Sequence, residues 1–145
     1  MTSRNSERGS AMVEAAIVMP ILLLLMVGIF EISRAYETWQ VLTNAAREGA
    51  RMSVTPSGDS ATVTALIRQY MEDGQLSRAA DAAVVVNRNS KITVNGTDIG
   101  ASLVTVDYPF QFMVLQPVAR LVVANSQAGK DITIHATARM RNEAP

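Results

Sequence analysis

Cysteine is absent from the 145-residue chain, which excludes disulfides, thiolate metal sites and cysteine nucleophiles and leaves the redox compartment unmarked by thiols. Histidine occurs once, as His135, and the acidic residues are scattered along the sequence. Neither a metal-ligand cluster nor a histidine-based catalytic pair is therefore written into it. Charge of one sign is missing too: 13 basic residues balance 13 acidic ones, so no broad surface attracts a phosphate backbone. These absences lead us to expect no catalytic residues, no cofactor, no metal, no nucleic-acid partner and no small-molecule substrate.

What is abundant is unevenly placed. Across residues 11–30 the only ionisable side chain is Glu14, and residues 15–30 read AAIVMPILLLLMVGIF. About 20 residues rising about 1.5 Å each cover about 30 Å, the thickness of a bilayer's hydrocarbon core. A buried helix of a soluble domain would carry a polar face, and this one has none. The expectation is a single membrane span. Arg4 and Arg8 precede it, whereas Glu31, Arg34 and Glu37 follow it, so the positive flank favours a cytoplasmic N-terminus and an outward-facing C-terminal part. A chain of this length suits one modest domain plus that anchor.

Residues 1–9 (MTSRNSERG) are polar and read as a leader, with helix beginning just after Gly9. Helical character then runs to about Met52, roughly 60 Å by its rise. Beyond the span one stripe continues down this helix: Gly28, Ile32, Ala35, Trp39, Leu42, Ala46, Gly49 and Ser53 recur at spacings of four and three. Glu31 with Arg34, Arg34 with Glu37, and Glu48 with Arg51 are three apart and can pair. Thr55-Pro56-Ser57-Gly58-Asp59 ends the helix. A second helix follows, capped by Asp59 or Ser60, with Val63, Leu66, Ile67, Tyr70 and Met71 on its apolar face, Gly74 as its stop and a sheet as its packing partner. The remainder reads as strands. Residues 83–86 and 92–94 lead into an Asn95-Gly96 hairpin turn, and residues 103–108 and 131–140 form better strands. In the last of these, Ile132, Ile134, Ala136, Ala138 and Met140 alternate with Asp131, Thr133, His135, Thr137 and Arg139, one side core and the other wet. Residues 112–124 are too short and too polar for a second span and read as a helical turn or loop covering the sheet. The fold class expected is α+β: a long N-terminal helix, first transmembrane and then amphipathic, a second helix and a small antiparallel sheet.

Two features of the span bear on function. Gly9 and Ser10 stand where the charged leader meets the apolar helix, and a glycine before a scissile bond lets a protease approach the backbone closely. Glu14 is then the fifth residue of a chain starting at Ser10, where an ionised carboxylate in lipid costs about 2–4 kcal/mol and so favours a partner such as a neighbouring subunit's amino terminus. The same residues also fit a plain linker glycine and a glutamate solvated among headgroups. A secretory signal peptide cleaved after Ala35 fits the small-residue pattern of Ser33-Arg34-Ala35, although Glu31 intervenes and the helical stripe runs through the site. Pro20 removes a hydrogen bond to the Ala16 carbonyl and is expected to bend or locally melt the helix.

The order of charged leader, Gly9, Val13-Glu14, a span with Pro20, and then the run NAAREGAR at residues 44–51 resembles the TadE-like family of minor pilins. The resemblance is close over about residues 8–53 and loose beyond. It departs from the family at Ala15, where an aromatic residue often stands. The resemblance implies a pilin-like α+β fold and a part in the tight-adherence (Flp, type IVc) pilus. It further implies cleavage by a prepilin peptidase after Gly9, assembly with other pilins and minor pilins, and roles in adhesion and biofilm formation. The organisation expected is a leader at 1–9, a transmembrane and assembly helix at 10–54 with Glu14 and Pro20 serving assembly, and an outward α+β domain at 55–145. The location expected is the inner membrane. Two other classes of function fit the residues: a single-pass anchored binding module, and an exported enzyme released after Ala35.

Overall fold

The computed structural model describes residues 3–122, 125 and 127–142. Met1 and Thr2 of the expected leader, and Val123 and Ala124 of the expected covering segment, lie outside the described residues. The architecture is α+β, in the order α1 (Ser3–Ser53), α2 (Ser60–Asp73), a short 3₁₀ turn (Ala79–Asp81), β1 (Ala83–Val94), β2 (Thr97–Phe110), α3 (Leu115–Val122) and β3 (Ile132–Arg141). It divides into two compact units, one of Met1–Arg34 with Gln111–Lys130 and one of Ala35–Phe110 with Asp131–Pro145.

Helix α1 opens at Ser3, upstream of the start expected after Gly9. One glycine costs a helix only about 1 kcal/mol, and extending an established helix is far easier than nucleating one, so Gly9 does not stop it. Nor does Pro20 melt it. The proline lies inside the helix, where the turns on either side outweigh the one missing bond. Among the described residues, this is the one helix long and apolar enough to cross a membrane, and its apolar stretch is left uncovered.

In the first unit the segment after β2 forms α3 and groups with the N-terminal part of α1. Where the sequence reads a helical turn or loop, an eight-residue helix forms, and the Val114 amide just before it donates to Glu31 of α1. Gly129, at φ 72°, closes this segment on itself: a Cβ there would lie 2.5 Å from the backbone nitrogen of Gln116.

The second unit is built on the C-terminal half of α1. Its end is satisfied locally, since the Thr55 amide and hydroxyl both donate to the Met52 carbonyl, at 3.0 and 2.7 Å. Asp59 is the cap of α2, its side chain accepting the Thr62 amide at 3.0 Å. Hydrogen bonding from Thr62, by its side chain first and its amide second, lowers the pKa of the Asp59 carboxyl. Gly74 ends α2 as expected. Val63, Ile67 and Met71 are buried, while Leu66 is half-buried and Tyr70 is exposed. The helix packs on β1 and, through Ile67 and Val63, against Gly49 of α1. With Gly74 lying against Val41 at its other end, α2 runs antiparallel to α1.

The sheet is antiparallel, in the order β1-β2-β3. Asn95 and Gly96 make the expected turn, both at positive φ, 51° and 80°. The two short strands expected before it are one strand, β1, continuous except for a bulge between Asn87 and Ser90. The polar stretch NRNSK hides it from a reading based on apolar alternation, yet an edge strand tolerates such residues. Asn89 even satisfies its amide on the Asn87 side chain, at 3.0 Å. Pro109 sits in the central strand, but beyond the last β1 partner of β2, Asp107↔Ala83, so it is paired on one side only, where proline is accommodated. In β3 the expected alternation holds from Ile134 to Met140, whereas Ile132 is 44% exposed.

At Gly49 a Cβ would lie 2.5 Å from Ile67 Cδ1 and 2.7 Å from its Cγ1. Gly49→Val should therefore lower the unfolding free energy by about 1–3 kcal/mol through overpacking. Thermal unfolding of the full chain in detergent is the measurement, and adding Ile67→Ala to that variant should restore part of the loss.

Candidate functional site

The residues singled out from sequence all lie on α1, and the structure treats them in three groups. Gly9, Ser10 and Glu14 are exposed, as are the apolar side chains around them from Met12 to Met26. Nothing lies within 4 Å of a Cβ built at Gly9 or at Gly28. This half of the helix thus presents Gly9-Ser10, the Glu14 carboxylate and a fully apolar cylinder with Pro20 inside it, exposed among the described residues.

The stripe is divided. Leu42, Ala46, Gly49 and Ser53 are buried, Gly28 and Ala35 are half-buried, and Ile32 and Trp39 are exposed at 69% and 44%. The reason at Trp39 is the length of α2, which spans 14 residues and ends with Gly74 against Val41. Beyond Val41 no turn of α2 remains to cover the stripe. The Trp39 ring instead lies 5.8 Å from that of Tyr36, tilted by 33°. A shallow groove of about 230 Å³ beside it is lined by Trp39, Gln40, Thr43, Asn44 and Arg47.

The run at residues 44–51 has a two-faced geometry. Ala45, Ala46, Gly49 and Ala50 are buried, Gly49 directly under Ile67 and Val63 of α2, while Asn44, Arg47 and Arg51 are exposed. Arg51 forks onto Glu48, with Nη2 at 2.7 Å and Nε at 3.1 Å. This bonding lowers the Glu48 pKa and raises that of Arg51.

Glu31 is the residue that sequence reasoning placed incompletely. It does pair with Arg34, at 2.8 Å, but it is also fully buried, and its other oxygen accepts the Val114 amide at 2.6 Å. The carboxylate thus stands at the start of α3, where a helix favours negative charge. Pro117, in the first turn of α3, is a legible helix-start signal; a partner 83 residues away is not.

Chemistry elsewhere is sparse. His135 lies opposite Asp107 across β2 and β3, with Nδ1 2.7 Å from Oδ1, and is exposed on the polar face where the sequence places it. Among the described residues no group of three or more His, Asp or Glu could hold a metal ion.

No curated protein matches the chain, and no solved structure does. A family does match, over the helix that carries every residue discussed above as a candidate except His135 and Asp107. Residues 9–51 match the family model described as TadE-like protein, so the helix bearing Gly9, Glu14 and the NAAREGAR run is similar to that family.

Proposed function

We propose that this chain is a minor pilin, or pseudopilin, of a tight-adherence (Flp, type IVc) pilus, and that it acts by assembly rather than catalysis. The observation that carries this reading is the extent of the TadE-like segment, which begins at Gly9 and ends at Arg51. It takes in the apolar stretch and the small-residue run of one helix, and it points to the tight-adherence pilus system. In this reading a prepilin peptidase cuts between Gly9 and Ser10, the inner membrane holds the span with its N-terminus cytoplasmic, and the α+β domain faces outward. Adhesion and biofilm formation follow from incorporation into the pilus.

Two exposed features of α1 give the assembly step a physical basis. Glu14 has no partner within about one turn of its own helix that carries the opposite charge. A neighbouring subunit's Ser10 amine, freed by the cut, supplies one in a medium where an ionised carboxylate alone costs about 2–4 kcal/mol. The open part of the stripe, with Ile32 and Trp39 exposed, is the face offered to pilin helices, since the lower part is taken up inside the C-terminal unit.

Three outcomes are expected. The mature protein should begin at Ser10 by intact mass, and Gly9→Phe should accumulate as membrane-bound precursor; normal processing of that variant would count against the assignment. Glu14→Gln should be inserted and cut normally yet enter pili poorly, measured as its share in sheared filaments relative to the membrane pool. Finally, the folded domain is bulky beside a helix-only subunit, so this chain should start or cap the fibre, and quantitative mass spectrometry of sheared pili should find it far below the main pilin. Equal amounts would make it a bulk subunit.

A further inference from the structure

The segment that follows β2 is pinned to α1 by the Val114 amide on Glu31 Oε1, at 2.6 Å. Glu31 is the first residue after the apolar run of residues 15–30, and its backbone rises only about 1.5 Å beyond Phe30. The bond therefore fixes the start of α3 at the level where the apolar cylinder ends, within the reach of one side chain. Exposed apolar groups stand near that level on both segments: Met113 is 67% exposed and Val114 37%, while on α1 Ile29 and Phe30 are 58% and 55% exposed. Leaving such a surface in water costs about 25 cal/mol per Å². No acidic side chain opposes a bilayer surface there, for the only charged residues of 111–130 are Arg120 and Lys130.

We propose that residues 111–120 form an interfacial element that lies on the lipid bilayer, with Met113 and Val114 entering the boundary between headgroups and acyl chains. The inference rests on the reading that α1 spans the membrane. Lipid is the occupant because the exposed apolar side chains of this segment are pinned at the level where the apolar run of α1 ends. Glu31 is then the tether. Both of its oxygens are engaged, by Arg34 and by the Val114 amide, so a buried carboxylate can sit beside acyl chains with its polar partners already supplied by the chain.

The absence of cysteine makes the test direct. Single-cysteine variants of the full chain, labelled with the fluorophore NBD, are reconstituted in phosphatidylcholine–phosphatidylglycerol vesicles and quenched by nitroxide lipids or by aqueous iodide. Leu23→Cys reports the span, and Ser57→Cys, exposed in the turn after α1, reports water. The Met113→Cys label should be quenched by a shallow nitroxide and be at least about threefold less open to iodide than the Ser57→Cys label, as expected for a side chain about 5–10 Å into the interface. Adding Glu31→Ala should abolish that protection while leaving the Leu23→Cys label unchanged. If iodide reaches the Met113→Cys label as freely as the Ser57→Cys label while Leu23→Cys stays lipid-quenched, the interfacial element is overturned and the span stands. Iodide access to the Leu23→Cys label overturns both.

Discussion

The close approach of α2 to α1 at Gly49 is the contact on which the C-terminal unit depends, because it covers the face of α2 that β1 leaves open and joins α1 to the sheet through it. Gly49 offers no side-chain volume, and Ile67 and Val63 fill the space it leaves, with Met71 buried on the same face of α2. Burying each of those larger side chains contributes about 1.5–3 kcal/mol. The sheet then stacks on α2 through β1, and Tyr108 of β2 ties in the 3₁₀ turn by accepting the Arg78 amide at 3.3 Å. A run that reads as a family signature is thus, in this chain, first a packing device. Its polar side, Asn44 and Arg47, is what remains for partners.

Much of this was legible because its causes are local. Asp59 and Gly74 bound α2 through caps that need no distant residue, Asn95-Gly96 dictates its own turn, and β3 from Ile134 onward alternates with the two-residue period of a strand. Local causes also account for the errors. The bulged middle of β1 is polar because it sits at an edge, and being at an edge is a property of the sheet rather than of five residues. Trp39 obeys the helical spacing of the stripe yet is uncovered, since the decisive quantity is where α2 stops. Residues 112–124 carry a helix-start signal in Pro117, but which surface they seek depends on an acceptor at Glu31.

Glu31 also shows how a pairwise reading of charge falls short. At a spacing of three it predicts a surface pair with Arg34, worth a few tenths of a kcal/mol. Once the carboxylate is buried and its second oxygen engaged by a backbone amide, losing either partner leaves a desolvated group under-satisfied, which costs several times more. The pair therefore acts as a position-specific lock rather than as a surface decoration. It selects one residue, Val114, as the point where the chain returns to its own N-terminal helix.

A three-stranded sheet has two free edges, and both are guarded here. β1 is interrupted by its bulge at Arg88 and Asn89, and β3 exposes Arg139 and Arg141. Bulges and edge charges are the means by which sheets avoid recruiting strands from other molecules. Edge-to-edge pairing between copies is thereby disfavoured at each end of the sheet, even where copies stand side by side.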